Sequence, residues 1–128
     1  MLGLVGHTHQ VSLKLQMRTS KQIAVTAMEG KTYIVGREGH IYINDPSVSR
    51  QHVEIKFVDG RIRLRDLDST NGTYLVREDR RVQVLEGYVR PQQPIVIGKW
   101  QCTVQSLLAN IGVIASYSDH AGLKVAFE

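Results

Sequence analysis

From residue 11 onward the chain alternates apolar and polar positions with a period of two, and it does so in short runs broken by turn residues. Val11, Leu13, Leu15 and Met17 lie opposite Ser12, Lys14 and Gln16, the mark of a half-buried strand. Further strands are predicted over 22–27, 32–35, 40–43, 51–58, 61–67 and 73–76, around Val82, Val84 and Leu85, and over 95–97 and 100–107. Asp59-Gly60 joins two of them as a two-residue hairpin turn. Residues 28–31, Asn44-Asp45-Pro46, the charged run 77–80 and Gly98-Lys99 supply the other sharp connections. Near the end, Ile111, Val113 and Ala115 on one side of residues 118–122, and Leu123, Val125 and Phe127 on the other, predict a last hairpin. No stripe with a helical period stands out. Many short strands separated by turns every eight to twelve residues predict an all-β chain, a sandwich of two mainly antiparallel sheets.

A chain of 128 residues suffices for one domain with its own core. The division expected is an N-terminal extension over 1–10, the domain over 11–108 and a C-terminal extension over 109–128. Hydrophobic residues at 42% and charged residues at 22% fit a folded globular chain. No apolar run approaches the length that crosses a bilayer, and the first residues lack the pattern of a signal peptide, so the expected setting is cytoplasmic. One cysteine, Cys102, excludes an internal disulfide and any cysteine-rich zinc site, and reads as a small core residue. His7 and His9 have no carboxylate or third ligand nearby, so no metal is expected. A net charge of +4 is compatible with an anionic partner without choosing one.

Three polar clusters change that picture: Gly36-Arg37, Ser49-Arg50-Gln51-His52, and Asp66 through Thr73. Arg37 follows a glycine at the end of a predicted strand, so its side chain emerges from a rigid platform. Arg37 offers a planar fork of donors suited to two phosphate oxygens. Ser49 adds a hydroxyl and Arg50 a second positive charge, while Thr70 and Asn71 add a hydroxyl and a carboxamide that donates and accepts at once. Gly72 suits a left-handed backbone. Taken singly, such residues are ordinary turn formers.

In register on an all-β chain, Gly36-Arg37, Ser49-x-x-His52 and Ser69-Thr70-Asn71-Gly72-Thr73 resemble the forkhead-associated (FHA) domain, over roughly residues 11–108. The resemblance implies an FHA/SMAD-like sandwich that binds phosphothreonine peptides from proteins modified by a Ser/Thr kinase, without catalysis or cofactor. It places Arg37 and Ser49 on the phosphate, Arg50 and Thr70 beside it, and Asn71 on the peptide main chain. Gly36, His52 and Gly72 match positions that are structural in the family. Two departures are Val76, where members often carry asparagine, and Gln92-Gln93-Pro94, where they often carry Gly-Asp.

Other readings come from other classes. Arg61, Arg63 and Arg65 share the outer face of one strand, which makes nucleic-acid binding the runner-up; a third reading is phosphate-independent protein contact on the same fold. Ser49, His52 and Asp66 can be written as a hydrolase triad, yet the chain has no Gly-x-Ser-x-Gly elbow and no glycine-rich nucleotide loop.

Overall fold

Strand β3 (Val53–Val58) turns Val53, Ile55 and Phe57 inward, and strand β4 (Arg61–Asp66) answers with Ile62 and Leu64. Asp59 and Gly60, with φ of 53° and 69°, join them in the left-handed conformation that lets two strands return with matching twist. The computed structural model describes residues 25–128. Strand β1 (Thr32–Gly36) pairs antiparallel with β3 and parallel with the short β2 (Ile41–Tyr42), and β7 (Glu86–Val89) pairs with β4, giving a five-stranded sheet in the order β2-β1-β3-β4-β7. The second sheet has four strands in the order β6-β5-β8-β9, made by β5 (Thr73–Arg77), β6 (Arg80–Gln83), β8 (Pro94–Ile97) and β9 (Trp100–Thr103).

Val35, Ile55, Phe57, Ile62 and Leu64 from the first sheet meet Leu75, Ile95 and Ile97 from the second in one apolar cluster. Among the described residues only one strand pair, β1 with β2, is parallel. The architecture is thus the all-β sandwich that the alternation predicts. The final hairpin, β10 (Val113–Ser118) with β11 (Gly122–Phe127), forms as expected, and Val113, Ala115 and Val125 join the same core.

The structure departs from the sequence expectation in three places. Residues 25–27, expected in a strand, belong to one helical turn, α1 (Val25–Met28), whose Met28 is fully buried. Lys31 N–H closes a turn onto the Met28 carbonyl, and Gly30 takes a φ of 81°, so the chain reverses before β1 begins. The strand expected over 100–107 stops at Thr103, which N-caps α2 (Val104–Ala109) in a capping box with Ser106. Val104, Leu107 and Leu108, spaced for one helix face, are buried; six residues are too few for that period to stand out against the alternation before them. The strand around Val82, Val84 and Leu85 is displaced: β6 ends at Gln83, Val84 dives into the core, and β7 starts at Glu86. A glycine at 87 and an alternation partly exposed on both faces hide β7 from sequence. The strand predicted over 11–17, the start of the one over 22–27, and His7 and His9 lie outside the described residues.

Candidate functional site

The three clusters meet at the end of the sandwich where β1 and β4 finish. Gly36 ends β1 against the segment 49–50: a Cβ there would overlap the Arg50 carbonyl oxygen, so only glycine permits the approach. That approach lets Arg37 N–H donate to the Ser49 carbonyl (3.1 Å) and Glu38 N–H to the Arg50 carbonyl (2.9 Å), tying the first loop to the second.

His52 ties the second loop to the third. It is fully buried. Ser49 N–H donates to His52 Nδ1 (3.0 Å), and His52 Nε2 lies 2.8 Å from the Gly72 carbonyl. A carbonyl only accepts, so the proton sits on Nε2 and the Nδ1 lone pair is already engaged. His52 is therefore a brace. Neither of its ring bonds goes to the Ser49 hydroxyl or to Asp66, and the triad written from sequence does not assemble. Ser49 Oγ instead accepts from Thr70 N–H (3.1 Å), a second link between the same loops that leaves the hydroxyl proton free to donate.

The third loop is organised by Asp66, whose structural part the sequence reading did not assign. Its Oδ1 accepts from Ser69 Oγ (2.6 Å) and Thr73 Oγ1 (2.7 Å), and Oδ2 from Ser69 N–H (2.9 Å). Burial pushes this carboxyl up, but the hydrogen bonds from Ser69 and Thr73 outweigh it and hold Asp66 below the usual carboxylate value. Gly72 has a φ of 83°, which favours glycine, and a Cβ there would also press on the end of the Tyr74 side chain. Ser47 and Asp45 form a second hub that residue type alone did not reveal. Ser47 N–H and Oγ both donate to Asp45 Oδ1 (2.8 and 2.6 Å), hydrogen bonds that lower the Asp45 carboxyl. Ser47 Oγ in turn accepts from Lys99 N–H (2.8 Å), which brings the β8–β9 turn against the site. The signal available in sequence was Asp-Pro-Ser and Asp-Ser-Thr, both Asx-type turn starts.

Arg37, Ser49, Arg50, Thr70 and Asn71 all line one open groove across these loops. Arg37 is aimed: its Nε–H donates to the Val48 carbonyl (2.6 Å), which fixes the plane of the guanidinium and leaves both terminal nitrogens for a ligand. Asn71 Nδ2 donates to the Ser47 carbonyl (2.8 Å), leaving its amide oxygen and second N–H. Arg50 lies 3.7 Å from Glu38, an exposed pair that holds it loosely. Ser47, Gln51 and Asp68 line it as well, so the groove presents two guanidinium groups, three hydroxyls, two carboxamides and one carboxylate.

The arginine face of β4 is different. Arg63 and Arg65 both pair with Glu54 (3.8 and 3.0 Å), Arg63 also with Glu86 (3.3 Å), and Arg61 lies on the Tyr88 ring at 3.7 Å. Two of its three charges are answered inside the protein, which removes the unbroken basic stripe that a nucleic-acid backbone would follow.

Comparison with known proteins agrees with this geometry. The family model for the FHA domain matches residues 33–98. Oxoglutarate dehydrogenase inhibitor of Corynebacterium efficiens is 39% identical over 61 residues, covering 46% of this chain and 43% of that protein. The protein of the same name from Corynebacterium diphtheriae is 40% identical over 60 residues, covering 45% and 42%. The chain therefore matches less than half the length of these relatives. A solved structure from a structural and functional analysis of phosphothreonine-dependent FHA domain interactions aligns with a TM-score of 0.51 at 31% identity, covering 59% of this chain and 75% of that one. Every side chain that converges on the groove falls inside the matched span, and the chain belongs to the FHA domain family.

Proposed function

We propose that this chain binds phosphothreonine-containing segments of partner proteins through the groove of Arg37, Ser49, Arg50, Thr70 and Asn71. It acts as an interaction module in kinase signalling and has no catalytic step of its own. The observation that carries the proposal is the fixed Arg37 guanidinium, held at Nε by Val48 and open at its two terminal nitrogens, with the Ser49 hydroxyl beside it on a braced loop. A phosphate brings a charge of about −1.5 to −2 and three acceptor oxygens, which match such a set of donors. Asn71, on the rim, is placed for the peptide backbone. The phosphothreonine dependence of the similar solved FHA domain supports the same ligand. The relatives named as inhibitors of oxoglutarate dehydrogenase make control of an enzyme by binding it a fitting outcome. No helix among the described residues is long and apolar enough to cross a membrane. We place the module in the cytoplasm, where Ser/Thr kinases supply the ligand.

The test is calorimetry with a phosphothreonine peptide selected from a degenerate library. Arg37→Ala removes one partner of a desolvated charge pair, worth roughly 2 to 5 kcal/mol, so binding falls by tenfold or far more. The melting temperature falls by a few degrees at most, since the exposed arginine supports no core and only its Nε bond to the Val48 carbonyl is lost. Ser49→Ala weakens binding less. Binding of the Arg37→Ala protein within twofold of wild type would move the phosphate to another place.

A further inference from the structure

Opposite the phosphate groove, where β4 begins rather than ends, a second cleft with room for about 430 Å³ opens between the sandwich and the C-terminal hairpin. Six residues of β4 separate the two sites, roughly 20 Å at about 3.3 Å per residue. Arg61, Arg77 and Arg90 line this cleft, and no carboxylate does. Its walls also include Tyr88 and Tyr117, the apolar Val89, Pro91 and Leu123, and the carboxamide of Gln93.

Two of the three arginines are held in place by aromatic faces. The Arg61 guanidinium stacks on Tyr88 at 3.7 Å, and that of Arg90 on Tyr117 at 4.5 Å, with Asp119 reaching Arg90 from outside at 2.9 Å. A guanidinium stacked on a ring keeps its edge N–H groups available, so each costs less ordering when it meets a carboxylate. Among the described residues, neither Arg61 nor Arg77 has an ion-pair partner.

We propose that this cleft is a second docking site, for a short acidic peptide segment of a partner protein. Its carboxylates would meet Arg61 and Arg77 while an apolar side chain fills the floor around Leu123 and Val89. Charge decides among the occupants. Residues 1–24 of this chain carry Lys14, Arg18 and Lys21 and no carboxylate, and a second copy of the chain brings a net charge of +4, so neither complements the charge of the cleft. A nucleic-acid backbone would need an extended basic track, whereas this cleft is short and has Asp119 on Arg90 at its rim. A partner that fills both sites gains avidity by linking two contacts, if its chain spans the sandwich.

The probe is a fluorescein-labelled hexaglutamate peptide, with hexaglutamine and inorganic phosphate as controls, at low ionic strength and with the full chain. In amide NMR spectra, hexaglutamate is expected to shift Gly60, Val89 and Leu123, and to do so equally in the Arg37→Ala protein, which separates this site from the phosphate groove. Hexaglutamine and phosphate are expected to leave those amides unmoved. By fluorescence anisotropy the double variant Arg61→Gln/Arg77→Gln binds hexaglutamate about fivefold or more weakly, as expected for two lost charge contacts. Its phosphothreonine-peptide affinity and melting temperature stay as in wild type. Shifts confined to residues 47–52 and 68–72, equal binding of hexaglutamine, displacement by phosphate at the cleft, or dimerisation in sedimentation through this face would each overturn the proposal.

Discussion

Asp66 and Arg37 show how single residues divide the work of the groove. Under the proposed function Arg37 would meet the phosphate, whereas three hydrogen bonds keep the Asp66 carboxylate turned into the loop that carries Thr70 and Asn71. Because its carboxyl is lowered in the folded protein, Asp66 contributes stability above the ordinary carboxylate value of about 3.9. That contribution is lost as pH falls below about 4 and through the lower folded value. Asp66→Asn is expected to cost about 1 to 3 kcal/mol, since at least one donor loses its acceptor. It should also flatten the acid limb of a pH–stability curve; an unchanged limb in urea titrations at pH 3 to 6 would remove Asp66 from this role. A second residue-scale expectation concerns the ligand. Threonine is restricted at its first side-chain torsion and carries one more methyl than serine, worth about 0.8 kcal/mol when buried. Pro46, exposed in the lining, offers apolar surface for it. A phosphothreonine peptide should therefore bind several-fold more tightly than its phosphoserine twin, and equal calorimetric affinities would refute this.

Among the elements, the hairpins differ in how well their turns suit them. Asp59-Gly60 has the residues that its left-handed turn needs, and the Glu29 carboxylate accepts from both of its amides (2.7 and 3.3 Å). Glu78-Asp79 has neither advantage, yet both residues take positive φ, 48° and 64°. A left-handed residue other than glycine, asparagine or aspartate costs on the order of 1 kcal/mol. Replacing Glu78-Asp79 with Asn-Gly should raise stability by about 1 kcal/mol in thermal melts and leave phosphopeptide binding unaltered, because this turn lies far from Ser49 and Thr70. A fall in melting temperature would contradict the turn geometry. The short helix α2 also belongs to this scale: its capping box at Thr103 shows only in the structure, and two buried leucines in six residues are too little to separate a helix from a strand in sequence.

For the molecule as a whole, the C-terminal hairpin decides where the folded unit ends. The family match stops at residue 98, while Ala115, in the hairpin, is fully buried in the core shared with both sheets. Gln105 of α2 reinforces the join by donating to the Ala115 carbonyl at 2.9 Å. Ala115→Asp, which forces a carboxylate into that apolar contact, is expected to destabilise the entire protein by several kcal/mol in one cooperative transition. Were the hairpin an independent appendage, the main melting transition would not move. The same hairpin supplies Tyr117 and Leu123 to the second cleft, so the segment beyond the family match adds both core and surface.

The sequence by itself determined the parts that depend on neighbours in the chain. Period-two alternation specifies which face of each strand is apolar, Asp59-Gly60 specifies a return, and the order of Gly36-Arg37, Ser49, His52 and Thr70 through Gly72 specifies the family resemblance. Only the tertiary structure decided what depends on residues far apart. It put the Nε2 proton of His52 on Gly72, 20 residues away, and gave Gly36 its reason by bringing Arg50 against it. It set Glu54 between Arg63 and Arg65 across a strand pair, and so dissolved a basic stripe that the one-dimensional pattern displays. It also made a strand of Glu86–Val89, whose few apolar side chains say little until β4 offers it a partner. Local alternation reports burial on one's own strand; hydrogen bonds and charge compensation are made between strands, and their partners are chosen by the packing of the whole chain.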